Sequence, residues 1–146
     1  MADLLAQVEA CLPGGVPVEP ERIGECTDGK GAYALLIQLA RPVRFERAAL
    51  GVAMLSGWLV YAGSANGPGG LRARLARHFR KGKAIRWHVD ELTTRAADIM
   101  ALAIPGGSEC AIVDALLASG RFEVAMPGFG SSDCKNCEAH LLSYNV

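Results

Sequence analysis

Residues 60–79 (VYAGSANGPGGLRARLARHF) leave few ways to fold: an apolar run closing on glycine, a break rich in glycine and proline, then ten residues of helical period. Leu71, Leu75, His78 and Phe79 fall on one stripe, and arginines occupy the rest of the surface. The segment reads as strand, turn and basic amphipathic helix starting near Gly70. Arg74 and His78 are four apart, so their side chains neighbour each other on one face. Glycine amides at a helix N-terminus can hold a phosphate, and an arginine one turn in can fork onto its oxygens. That is the chemistry of a phosphodiester site. The alternative from local pattern alone is a core histidine beside a surface ion pair.

The remaining chain supplies one core. Residues 31–39 (GAYALLIQL) and 57–63 (GWLVYAG) are short apolar runs bounded by breakers and predict a strand pair, read as antiparallel. Residues 41–49 predict a further short strand or turn, with a helical turn over 46–55 equally open. A short helix over 3–11 carries Leu4, Leu5, Val8 and Cys11 at helical spacing and ends at Pro13-Gly14-Gly15. Residues 12–30 read as a connecting loop, so 1–29 form an extension and 30–146 the main domain. Residues 99–104 predict a strand and 108–118 a helix, with Ser108 as N-cap and Ile112, Ala115 and Leu116 as its buried stripe. Residues 122–125 predict one more short strand. Pro127-Gly128-Phe129-Gly130 then breaks the chain before a polar, cysteine-containing tail.

Charge is balanced overall, at net zero, but not locally. Residues 1–28 hold six acids against Arg22 alone, whereas Arg72, Arg74, Arg77, Arg80, Lys81, Lys83 and Arg86 place seven of the 15 basic residues in a stretch without an acid. Such a cluster can neutralise a phosphate backbone and release its counterions. It makes nucleic acid the expected partner, with a solvated helix face as the alternative. No apolar run approaches the roughly 20 residues of a membrane span, and residues 1–15 lack a basic leader, so no membrane partner and a cytoplasmic location are expected. Five cysteines without an export signal favour thiols or a metal over a disulfide framework. Cys134, Cys137 and His140 stand at three-residue steps, and Cys110 can complete a Cys₃His zinc site. Cys110 as a small buried hydrophobe, and a local Cys134–Cys137 disulfide, are the competing readings.

These residues together resemble the GIY-YIG nuclease domain. Gly31-Ala32-Tyr33 stands for its first tripeptide and Tyr61-Ala62-Gly63 for its second; the helical Arg74 and His78 match, and Glu109 matches the glutamate of a later helix. The stretches GSANGPGGL, RHF, RWHVDEL and GFGSSDCKNCEAHL look like an uncharacterised branch of that superfamily, found as stand-alone proteins and fused to endonuclease III-like repair enzymes. The resemblance covers about residues 30–142. It implies an α+β fold with a small, three-stranded, mostly antiparallel sheet flanked by helices, to which this chain adds its N-terminal helix and cysteine tail.

The implied activity is metal-dependent endonucleolytic hydrolysis of DNA, directed by structure or damage, with a repair protein as a further partner. Arg74 would bind the scissile phosphate, Glu109 would hold Mg²⁺ or Mn²⁺, Tyr33 would activate water, and Tyr61 and His78 would orient the nucleophile or the phosphate. His88 is a further phosphate contact or proton relay, unless Trp87-His88-Val89-Asp90 is only a packed junction. Asp133 and His140 could instead frame this site. Arg72, Arg77, Arg80, Lys81, Lys83 and Arg86 would carry the nucleic-acid backbone. Alanine replaces isoleucine in both tripeptides, and Gly67-Pro68-Gly69-Gly70 reshapes the phosphate approach. Two other functions compete: a non-catalytic nucleic-acid-binding module and a zinc-stabilised interaction domain.

Overall fold

A computed structural model of the chain describes residues 1–130 and 137–145. Its elements run α1 (Ala2–Cys11), β1 (Val16–Val18), a 3-10 turn (Pro20–Glu25), β2 (Gly31–Arg47), β3 (Gly51–Ala65), α2 (Gly70–Phe79), α3 (Asp90–Thr93), β4 (Asp98–Pro105), α4 (Glu109–Ala118), β5 (Phe122–Val124) and β6 (Leu141–Tyr144). Among the described residues no helix is long and apolar enough to cross a membrane.

The expected α+β class holds, but the small three-stranded sheet does not. One six-stranded sheet in the order β1-β4-β2-β3-β6-β5 is antiparallel at every pairing. The runs over 31–39, 57–63 and 99–104 became its centre. The three additional positions are filled by β1, β5 and β6, of three, three and four residues. Of these, β5 is the short strand expected over 122–125, while β1 and β6 are too short to show a period. In β1 the middle residue is Pro17, which a strand tolerates because β1 pairs only with β4 and leaves its other edge open. The undecided 41–55 region is neither helix nor loop: β2 and β3 continue through it as one long hairpin, with a register shift between Leu39 and Val43 at Ala40-Arg41-Pro42.

The first half of β2, residues 31–39, is apolar at nearly every position because both of its faces are covered. Tyr33, Leu35, Ile37 and Leu39 face one core with Leu71 and Leu75 of α2 and Leu92 of α3. Ala32, Ala34 and Leu36 face a second core with Leu4 and Val8 of α1 and Ile112, Val113 and Leu116 of α4. Helix α2 is docked at its start by the chain before β2: the Leu71 and Arg72 N–H groups donate to the Gly29 and Thr27 carbonyls at 2.9 and 3.0 Å. Gly70 adopts φ +56°, and a Cβ there would run into the Asp28 carbonyl oxygen.

Gly70→Ala should therefore combine backbone strain with a collision and cost roughly 1–3 kcal/mol or more in chemical denaturation. Gly24→Ala, where an added Cβ meets nothing within 4 Å, should stay within about 0.5 kcal/mol of wild type. Equal effects at both positions would refute this account of how α2 is docked.

Candidate active site

Register places the site. Tyr33 pairs with Gly63 across β2 and β3, and Leu35 pairs with Tyr61, so both tyrosines stand on the α2 face of the sheet. A Cβ at Gly63 would lie inside the Tyr33 phenol, so the ring packs directly over the glycine. From there the Tyr33 hydroxyl meets His78 Nε2 at 2.6 Å, both residues being fully buried. Burial pushes the Tyr33 phenol upward and the His78 imidazole down to about 3. At neutral pH the phenol is therefore the donor and the neutral imidazole the acceptor. Among the described residues, Nδ1 of His78 has no hydrogen-bond partner.

Tyr33, Tyr61, Arg74, Arg86, Trp87, His88 and Gly130 line one open cleft of about 250 Å³. Burial is the main cause that lifts Tyr61 to about 12; the Glu109 carboxylate adds to it and the Arg74 guanidinium opposes it. Both charges thus act on the same phenol. Helix α4 packs on the far face of the sheet from α2, yet its first residue reaches round the sheet end: Glu109 Oε2 is 3.8 Å from His140 Nδ1. A Cβ on Gly130 would touch Tyr61 Cε1 at 2.8 Å and His140 Cβ at 3.4 Å, which ties these residues into one neighbourhood. Glu109 itself does not line the cleft.

Arg74 is held by stacking. Its Cζ lies 4.6 Å from the Trp87 ring centroid, and that of Arg77 lies at 3.9 Å. Trp87 is in turn fixed from below by Asp90. The buried Asp90 carboxylate takes a forked pair of bonds from Arg77 at 2.9 and 2.8 Å, and Oδ2 also accepts the backbone N–H groups of Arg86 and Trp87 at 2.9 Å each. Burial alone would raise this carboxyl, but the four donors outweigh it and hold it at about 2. His88 packs edge-on against Phe45 and Phe129, with ring centroids at 5.6 and 5.7 Å, and burial lowers its imidazole.

The basic cluster divides. Arg77 pairs with Asp90, Arg72 Nε donates to the Cys26 carbonyl, Lys81 donates to the Thr93 and Ala96 carbonyls, and Lys83 donates to the Arg77 and His78 carbonyls at the end of α2. Burial brings the Lys83 ammonium down to about 8. Arg80 and Arg86 are exposed, and Arg86 lines the cleft. The expected phosphate cradle at the α2 N-terminus is not there. Its first amides are taken by the carbonyls of Gly67, Thr27, Gly29 and Gly69. Trp87, Asp90 and Gly130 are the site residues that sequence reasoning did not single out. The WHVD tetrapeptide was the available signal for two of them.

Beside the cleft, Cys110, Cys137 and His140 bring their ligand atoms within 4.8 Å of one another, close enough to hold a metal ion. Cys137 Sγ is 2.9 Å from Cys110 Sγ. His140 is buried, and among the described residues neither of its ring nitrogens has a hydrogen-bond partner. Cys134 and Asp133 lie outside the described residues.

Asp90→Asn should remove the charge that anchors Arg77 and Trp87, costing about 3 kcal/mol or more in equilibrium unfolding. The native Asp90 pKa lies below its unfolded value, so its contribution is full above about pH 4 and disappears as pH falls through about 2. The variant's stability should accordingly fall less steeply than wild type's across that acid interval. Parallel acid curves would contradict the role given to Asp90.

No match was found among curated proteins or among solved structures. One family model, described as "Domain of unknown function DUF123", matches residues 32–146. That span contains the tyrosine pair, the Arg74 and His78 helix, Glu109 and the Cys/His cluster, and the chain belongs to this family.

Proposed function

We propose that the protein is a divalent-metal-dependent endonuclease of the GIY-YIG type that hydrolyses phosphodiester bonds in DNA at structural or damaged features. The observation that carries this reading is the meeting of Tyr33, Tyr61 and Arg74 in one cleft, with the Glu109 charge acting on the same Tyr61 hydroxyl. The guanidinium is pre-positioned by Trp87, so it can fork onto a scissile phosphate without first becoming ordered. Trp87 and Arg86 at the rim offer a stacking surface and a cation to the flanking nucleotides.

A phenol raised by burial is a poor base on its own. Tyr33 can take a proton from water only as it passes its own proton to His78 Nε2, which is neutral and already accepting. A phosphate anion in the cleft favours that transfer by stabilising the imidazolium. Tyr61 is left as a neutral donor to a phosphate oxygen or to the water.

Glu109 fits a hard cation. Its side chain is 31% exposed, and among the described residues its ion-pair contact within 4 Å is to the His140 ring. Mg²⁺ or Mn²⁺ characteristically takes one or two protein carboxylates and fills its remaining positions with water and phosphate oxygens. When bound, such an ion supplies Lewis-acid stabilisation of charge on the phosphate and leaving oxygen. The Cys110, Cys137 and His140 cluster is of the opposite chemistry, two thiols and an imidazole, and suits structural zinc. A buried histidine whose two ring nitrogens have no hydrogen-bond partner among the described residues supports that assignment.

Purified protein incubated with Mg²⁺ or Mn²⁺ and branched, nicked, single-stranded or duplex DNA should cleave at least one of these substrates. Arg74→Ala and Glu109→Ala should each lower the rate by about 10²-fold or more. Equal residual cleavage in both variants would assign the activity to a contaminant. Salt-sensitive binding without turnover would instead make the domain a nucleic-acid-binding module.

A further inference from the structure

We infer that the Cys110, Cys137 and His140 centre positions Glu109, through a carboxylate–histidine–metal relay that makes the two metal sites of this protein interdependent. The inference rests on the zinc reading of the cluster and on the metal-binding role of Glu109.

The geometry brackets Glu109 from two sides. Along the chain it is the neighbour of Cys110 in the first turn of α4, where Ser108 caps the helix. In space its Oε2 stands 3.8 Å from His140 Nδ1, too far for a hydrogen bond, and among the described residues no Lys or Arg nitrogen comes within 4.0 Å of it. His140 is itself immobilised by its backbone: its N–H donates to the Phe129 carbonyl at 2.8 Å and its carbonyl accepts the Ala62 N–H at 2.9 Å, beside Tyr61. The ring is buried, and among the described residues neither ring nitrogen has a hydrogen-bond partner to offset its desolvation.

An ion held by the thiolates and His140 Nε2 would remove one of those deficits. It would also fix the tautomer, leaving an N–H on Nδ1 aimed at the Glu109 carboxylate, the outer partner that metal-bound imidazoles usually adopt. Tightening the 3.8 Å gap then fixes one carboxylate oxygen and leaves the other for a hard cation. The zinc centre is a clamp between α4 and the segment leading into β6, and Glu109 is the residue it sets.

Co²⁺ substitution and Mn²⁺ binding together test this. Co²⁺ added to metal-free protein should give the visible d–d and thiolate-to-metal charge-transfer absorption of a thiolate site, and Cys137→Ser should abolish it. Glu109→Gln should retain the spectrum but bind Co²⁺ about 10-fold or more weakly. Mn²⁺ affinity, read by water-proton relaxation, should fall about 10-fold or more when zinc is removed or Cys137 is changed to serine, and recover when zinc is returned to the stripped protein. Val18→Ala on the edge strand β1 controls for general destabilisation: its melting temperature should drop while its Mn²⁺ affinity stays at the wild-type value.

Three results overturn the inference, and they are distinguishable. Absence of the thiolate spectrum removes the zinc reading. Absence of Mn²⁺ binding by zinc-loaded wild type removes the metal role of Glu109 and with it the proposed nuclease chemistry. Full binding of both ions, with Mn²⁺ affinity indifferent to zinc and Co²⁺ affinity indifferent to Glu109→Gln, leaves both sites standing and removes the relay alone.

Discussion

Tyr33 can lie across β3 only because position 63 carries no side chain, and much of the site follows from that opening. With a Cβ at Gly63 the phenol would have to leave, and its hydroxyl could not reach His78 on α2. The same register that puts Tyr33 over Gly63 turns Tyr61 to the same face, two residues away along β3. A strand pairing thus sets the geometry of the cleft: slipping β3 by one residue against β2 would turn Tyr61 to the α4 side of the sheet and leave Tyr33 behind on the α2 side.

The charges around the cleft are arranged in two layers. Beneath it, Asp90 gathers Arg77 and two backbone amides into a buried, fully satisfied junction that fixes the loop carrying Trp87 and His88. Above it, Arg74 leans on Trp87 without a carboxylate partner among the described residues, so its charge stays available to an incoming anion. This is why a basic run is a poor map of a binding surface. Arg72, Arg77, Lys81 and Lys83 satisfy carbonyls or Asp90 within the fold, whereas Arg74 and Arg86 face the cleft.

What the sequence made legible tracks how strongly each feature is periodic. The bounded apolar runs over 31–39 and 57–63 and the helical stripe of Leu71, Leu75 and His78 translate directly into β2, β3 and α2. The short strand expected over 122–125 is β5, whereas β1 and β6 are too short to carry a period and owe their existence to the neighbours they pair with, which is information a local window does not contain. The family resemblance pointed to Tyr33, Tyr61, Arg74, His78 and Glu109, but not to how the sheet is extended. It also did not reveal that the carbonyls of Thr27 and Gly29 occupy the α2 N-terminus, because that contact joins segments more than forty residues apart. Cys110 and His140 were legible as metal-binding types, and Cys110 adjoins Glu109 in the chain, but the closeness of His140 to Glu109 required the fold.

The proposed nuclease function requires Arg74 and Glu109, whose charges both act on Tyr61, to serve one phosphodiester. A crystal structure of the protein soaked with Mn²⁺ and a non-hydrolysable DNA phosphorothioate tests it most directly. The account predicts an anomalous manganese peak at the Glu109 carboxylate, with the phosphorothioate group bound to the Arg74 guanidinium in the same cleft. Nucleic acid seated on another face, with no manganese at Glu109, would contradict it.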